Sequence, residues 1–154
     1  MVATGRAAVE TIRVDGLELG LLDLRTGTER RPADLGPVVK ESLGRLSRAK
    51  GGFGELVTSH LELIVAARLP RARILHQHRA YVCRFDGDES RDGHYLACLL
   101  IWAAVSSRLA RDHEAHRQTP DRAGIRAAAQ DAQLRFLKQF PDWEDWAEAL
   151  RLPH

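Results

Sequence analysis

The sequence predicts a mainly α protein, a bundle of about five helices with an N-terminal β-hairpin. Apolar residues recur at helical spacing over most of the chain after Asp34, whereas only residues 12–21 alternate as a strand does. The length of 154 residues fits one domain. We therefore predict a single domain over 1–154, with a hairpin extension over residues 1–33 and a helical bundle over residues 34–154.

The hairpin is predicted by apolar residues that alternate with polar or small ones on both sides of Asp15-Gly16, a strong signal for a two-residue turn. These apolar residues are Ile12, Val14, Leu17, Leu19 and Leu21. A further turn at Thr26-Gly27 predicts a short third strand over residues 28–31. No later segment alternates in this way, so we expect no larger sheet.

Two helical stripes follow the hairpin. The first is Leu35, Val38, Val39, Leu43 and Leu46, and it ends at Gly51-Gly52. The second is Phe53, Leu56, Val57, Leu61 and Ile64, and it predicts a helix as far as Pro70, with His60 near the stripe as a hydrogen-bonded interface histidine. Residues 71–85 fit a short helix or a strand, and we favour the helix.

The most apolar segment, residues 95–105, reads YLACLLIWAAV and predicts a buried helix from about Gly93 to Arg111 or slightly beyond. The segment Thr119-Pro120-Asp121 has the composition of a helix start and predicts a helix that Pro141 ends. A last short helix is expected over residues 142–150, where Trp143 and Trp146 lie at helical spacing.

The sequence favours a cytoplasmic protein with no membrane partner. The eleven-residue apolar run is far shorter than the roughly 20 residues that span a bilayer, and the N-terminus lacks the apolar segment of a signal peptide. Cys83 and Cys98 show no CxxC spacing. We expect two buried, unpaired thiols in a reducing compartment.

The formal net charge of +2 excludes little, but arginine is concentrated locally. Residues 68–84 include Arg71, Arg73 and Arg79, with no acidic residue before Asp86. Arginine binds phosphate bidentately, so this segment could contact RNA. A solvated basic surface accounts for the same pattern.

The polar cluster at the end of the apolar helix is the sharpest candidate site. Residues 111–116 read Arg-Asp-His-Glu-Ala-His. The spacing Arg-x4-His occurs four times in the chain, so spacing alone does not select a site. Position selects one of the four pairs, because only Arg111 and His116 lie where a core helix ends and a capped helix begins.

This motif and its context resemble the HEPN superfamily, whose signature is Arg, a polar residue, a few others and then His. Arg111, Asp112 and His116 match these positions, and the long apolar helix before the motif and the amphipathic helix after it also match. The resemblance implies a compact helical bundle and a metal-independent endoribonuclease of toxin-antitoxin or antiviral systems. It further implies a 2′,3′-cyclic phosphate product, a site in the cleft of a homodimer, and an antitoxin or regulatory protein as partner.

The residue types fit that chemistry. His116 is suited to proton transfer near neutral pH, and Arg111 offers a fixed cation for the charge that grows on the scissile phosphate. Asp112 could orient either side chain, and His113 is a possible second acid or base. We expect RNA contacts from an additional set of arginines, namely Arg71, Arg73, Arg79, Arg108 and Arg117.

Geometry sets a condition on this site. Five residues along an ideal helix rotate the side chain by about 140°, so Arg111 and His116 cannot share one face of a continuous helix. Either the helix ends between them or two chains meet, and we predict a homodimer with facing motifs.

The same residues are also consistent with a protein that has no catalytic activity. Arg and His are favoured at helix C-termini, where they complement the carbonyl dipole. The alternative function is a non-catalytic module that binds nucleic acid or protein as a subunit or regulator of a larger assembly. His113 and His116 are three residues apart around Glu114, which is not the HExxH spacing, so we expect no metal and no cofactor.

Overall fold

The computed structural model describes residues 8–25 and 34–154. In this part of the chain, five helices pack on a five-stranded mixed sheet. The helices are α1 (Gly36–Arg48), α2 (Phe53–His60), α3 (Gly93–Ala115), α4 (Arg122–Leu137) and α5 (Trp143–Ala149). The strands are β1 (Glu10–Val14), β2 (Leu17–Asp23), β3 (Leu63–Ala66), β4 (Arg73–Leu75) and β5 (Ala80–Cys83).

The sheet has the strand order β1-β2-β3-β5-β4. The predicted hairpin is confirmed, since β1 and β2 are antiparallel with Ile12 opposite Leu19. Asp15 and Gly16 turn between them with positive φ angles of 51° and 81°, as a type I′ turn requires. The third strand predicted over residues 28–31 lies outside the described residues.

The predicted helical bundle with only a hairpin is wrong, because the fold is α/β. The second predicted helix ends at His60, not at Pro70, and β3 follows it. Residues 71–85 do not form the favoured helix: they contain β4, a short 3-10 turn over His76–His78, and β5.

The burial of β3 and β5 explains why the sequence pattern did not predict them as strands. The strand β2 pairs in parallel with β3, which pairs in parallel with β5, and β4 lies antiparallel at the edge. Three of the four residues of β3 and all four of β5 are buried. A strand covered on both faces needs apolar residues at every position and shows no alternation.

The main core lies between the sheet and the helices, with α3 at its centre. Ile64 and Tyr81 face this core, whereas Val65, Ala80 and Val82 form a smaller apolar cluster on the opposite face of the sheet. In the described part, α3 is also the one helix long and apolar enough to cross a membrane, and 67% of its apolar window is buried within the fold. Such burial is typical of a core helix in a soluble protein.

The prediction of two buried, unpaired thiols is confirmed. Cys98 on α3 and Cys83 on β5 are both free and buried.

Candidate functional site

The polar end of α3 lies beside the end of α2, where His60 is the last helical residue. The helix α2 ends there because Leu61 adopts an extended conformation and leads into β3. Arg111 of α3 donates a hydrogen bond from Nη2 to Nδ1 of His60 at 2.7 Å. Its Nε donates to the carbonyl oxygen of Ser107, one turn earlier on α3, at 3.3 Å. The guanidinium is therefore fixed by a partner on each helix.

This contact defines the state of His60. A guanidinium has only donors, so Nδ1 of His60 must accept with its lone pair. The imidazole is then neutral, and its proton is on Nε2. The pKa of His60 is lowered by burial and by the positive charges of Arg111, Arg108 and Arg79, which favours the same neutral form.

Two further arginines surround this pair. Arg79 follows the 3-10 turn in a left-handed conformation, with φ of 49°, and its Nη1 donates to the carbonyl oxygen of Ser59 at 3.1 Å. Arg108 is exposed on α3, one residue after Ser107. We call His60, Arg79, Arg108 and Arg111 the arginine cluster.

The arginines of the cluster outnumber the carboxylates near them, those of Asp112 and Glu62. Arg108 and Arg111 make no ion pair with any residue that the structure describes, and Arg79 makes a long one with Glu62 at 4.0 Å. The pKa of Arg111 is lowered, chiefly by burial and then by the charge of Arg79, although Asp112 and Glu62 act in the opposite direction. Like charges held together with few counterions destabilise a fold unless an anion neutralises them, so the cluster has the electrostatics of an anion-binding site.

The two histidines of the motif are held differently from His60. Nδ1 of His113 lies 2.7 Å from the carbonyl oxygen of Leu109, and Nδ1 of His116 lies 2.7 Å from that of Asp112. A carbonyl only accepts, so both rings donate through Nδ1. In the neutral form this leaves the lone pair of Nε2 free, which is the tautomer that a general base needs.

Within one chain, Arg111 and His116 are not brought together. Arg111 is turned towards α2, whereas His116 is the exposed residue that ends α3 and is bonded back to its own helix. The helix continues to Ala115, directly before His116, so its end does not turn His116 back towards Arg111. The carboxylate of Asp112 makes no hydrogen bond with a described residue, so the backbone of Asp112, not its side chain, orients His116.

The other predicted RNA-contacting arginines divide into two groups. Arg79 and Arg108 belong to the arginine cluster. Arg71 and Arg73 are exposed at the start of β4, the edge strand, and Arg117 is exposed in a left-handed turn after α3, with φ of 53°. None of these last three forms an ion pair with a residue in the described ranges.

Sequence reasoning underestimated His60. The prediction that it forms a hydrogen bond is confirmed, but its partner is 51 residues away in the sequence. The available signal was a histidine beside an apolar helical stripe, and this signal does not identify the partner. Among residues 8–25 and 34–154, no group of three or more histidine, cysteine or acidic side chains is placed to hold a metal ion.

Comparison of the chain with profiles of known protein families, with curated proteins and with solved structures found no match. The compact helical bundle that the HEPN resemblance implies does not include the five-stranded sheet seen here. The resemblance at Arg111, Asp112 and His116 stays a prediction from the sequence.

Proposed function

We propose that this protein is a non-catalytic RNA-binding module that holds the phosphate backbone at the arginine cluster. The observation that carries the proposal is the fixed guanidinium of Arg111, which is bonded to His60 and Ser107 but has no carboxylate partner among the described residues. A pre-oriented cation of this kind can bind phosphate with its remaining N–H groups.

The neighbouring groups favour the same ligand. Nε2–H of His60 is a second donor beside the guanidinium, and Arg79 and Arg108 add positive charge. Phosphate contacts of this kind provide affinity without reading the sequence of the RNA. The favoured tautomer of His60 has no free lone pair, so the cluster itself binds an anion and does not abstract a proton.

The test is fluorescence anisotropy with a short labelled single-stranded RNA at several salt concentrations. We expect Arg108→Gln and Arg111→Gln to weaken binding, and each to reduce the slope of log K against log salt by about 0.7, as for one lost phosphate contact. Arg91→Gln is the control, because Arg91 is exposed, as Arg108 is, and lies in the segment before α3, outside the arginine cluster. Equal affinity and slope in all three variants would exclude the proposal.

A second candidate function is RNA cleavage by the end of α3, and the tautomers of His113 and His116 favour it. Nε2 of His116 is free to accept the proton of a 2′-hydroxyl group. Because Arg111 is turned towards His60 of its own chain, a pairing of His116 with Arg111 needs a second chain, so the mechanism predicted from the sequence requires the homodimer.

Cleavage is tested by incubating the same RNA without metal and analysing the ends of the products. His116→Ala should abolish the formation of 2′,3′-cyclic phosphate and leave RNA binding intact. Binding without any product favours the non-catalytic module. We also propose a cytoplasmic location, which rests on the sequence; the burial of α3 is compatible with a soluble protein.

A further inference from the structure

A cleft of about 610 Å³ lies between α3, the first turns of α4 and the segment from β4 into the 3-10 turn. Its volume is within the range of small-molecule sites, about 300–1,000 Å³. The cleft is on a different side of α3 from Arg111, because Ser106, Ala110 and Glu114 line it at four-residue spacing.

The cleft has an apolar wall that suits a flat ligand. Trp102 of α3, Ile74 of β4 and Ile125 of α4 line it, and all three are half-buried. The ring of Trp102 is held edge-to-face against buried Tyr81, with 6.3 Å between the ring centroids and 78° between the planes. A large aromatic surface held in one orientation favours stacking of another planar ring.

Two unpaired cations lie at another side of the cleft. Arg122 and Arg126 are one turn apart at the start of α4, and both line the cleft. Neither makes a hydrogen bond or ion pair with a described residue. Like charges at this spacing repel each other, and the N-terminal helix dipole adds to the positive potential. A bound anion would remove this repulsion.

Polar side chains at and after the end of α3 complete the cleft. Glu114 accepts hydrogen bonds, and Gln118 both donates and accepts them. An anion whose remaining surface is apolar would form no hydrogen bonds with these side chains. The edge of a nucleobase, in contrast, offers both donors and acceptors.

We propose that this cleft binds a nucleotide, with the base against Trp102 and the phosphate at Arg122 and Arg126. The ligand is either a free mononucleotide or one unit of an RNA strand. The proposal does not depend on RNA binding at the arginine cluster, because the residues of the two sites differ. The two sites are nevertheless close, since the charge of Arg111, together with burial as the larger cause, lowers the pKa of His76 at the edge of the cleft.

Isothermal titration calorimetry of the full chain tests the proposal with 5′-mononucleotides, the matching nucleosides and inorganic phosphate. We expect at least one mononucleotide to bind more tightly than its nucleoside and than phosphate alone. Arg126→Gln should weaken this binding by about tenfold, the scale of one charge-assisted hydrogen bond. Arg135→Gln is the matched control, since Arg135 lies on the same helix but pairs with Asp131 at 3.0 Å.

Three outcomes would overturn the proposal: no mononucleotide binds at millimolar concentration, phosphate alone binds as tightly as a mononucleotide, or Arg126→Gln and Arg135→Gln bind equally. Binding of the short labelled RNA distinguishes a free mononucleotide from one unit of an RNA strand as the ligand of the cleft. If Arg126→Gln also weakens RNA binding, the cleft holds one unit of a strand; if only mononucleotide binding is lost, it holds a free nucleotide. Arg108→Gln should weaken only RNA binding, so failure of the arginine cluster is measured separately.

Discussion

Arg111 of α3 donates from Nη2 to Nδ1 of His60, the last residue of α2, at 2.7 Å. The hydrogen bond joins two helices that the chain connects through three strands and two short 3-10 turns. It gives Arg111 a partner within its own chain and makes α2 part of the candidate site.

The state of His60 is directly testable. We expect the neutral Nε2–H tautomer near pH 7, because Nδ1 accepts from Arg111, and a pKa below the ordinary histidine value. Arg111→Gln removes one of the positive charges that lower this pKa, so the pKa should rise. Histidine ¹⁵N and ¹³C NMR over a pH titration measures both properties. A protonated Nδ1 in the neutral ring, or a pKa that does not change in Arg111→Gln, would contradict the assigned hydrogen bond.

Acid should destabilise the protein through His94. This residue is 3% exposed, its ring centroid lies 4.5 Å from that of Phe140, and neither ring nitrogen has a hydrogen-bond partner among the described residues. Burial and the nearby charge of Arg45 lower the pKa of His94 in the folded state. Below the unfolded pKa of about 6.5, the unfolded chain takes up a proton that the folded chain excludes. The free energy of unfolding therefore falls as pH falls, by at most about 1.4 kcal/mol per pH unit.

Urea unfolding at several pH values from about 7.5 to 5.5 measures this dependence. His94→Phe should flatten it, because the variant has no group to protonate at that position. The exposed His78 provides the control, since His78→Gln leaves His94 in place. A slope unchanged by His94→Phe would show that different groups cause the acid sensitivity.

Two helical glycines should respond in opposite directions to alanine. A Cβ at Gly54 of α2 would lie 2.6 Å from Cδ1 of Leu17 on β2, so Gly54→Ala should destabilise the fold by about 1–3 kcal/mol through overpacking. A Cβ at Gly44 of α1 would have its nearest neighbour at 3.5 Å, an ordinary contact. Gly44→Ala should stabilise the fold by up to about 1 kcal/mol through helix propensity. Chemical denaturation of both variants tests the contact between α2 and β2.

Neither cysteine should react in the native protein. Cys98 is fully buried, and burial raises the pKa of its thiol well above the ordinary value. The pKa of Cys83 is also raised, chiefly by burial. We expect negligible labelling by a thiol reagent near pH 8 and two labelled thiols after unfolding. Rapid labelling of the native protein would show that β5 or α3 is less protected than the structure indicates.

The local elements with their own sequence signals could be predicted. Asp15-Gly16 and the alternation around it determine the hairpin, and the apolar run of α3 determines the central helix. The strands β3 and β5 lacked such a signal, because a short apolar segment buried on both faces resembles part of a buried helix. The sequence therefore did not predict the five-stranded sheet or the α/β class.

The sequence by itself determined the hairpin, the buried central helix, its polar end and the two unpaired thiols, because each depends on neighbouring residues or on composition. Only the tertiary structure decided what that polar end contacts. A hydrogen bond between residues 51 positions apart depends on where β3 returns the chain after α2, and no local pattern encodes that distance. Arg111 therefore pairs with His60, whereas His116 is bonded locally to its own helix.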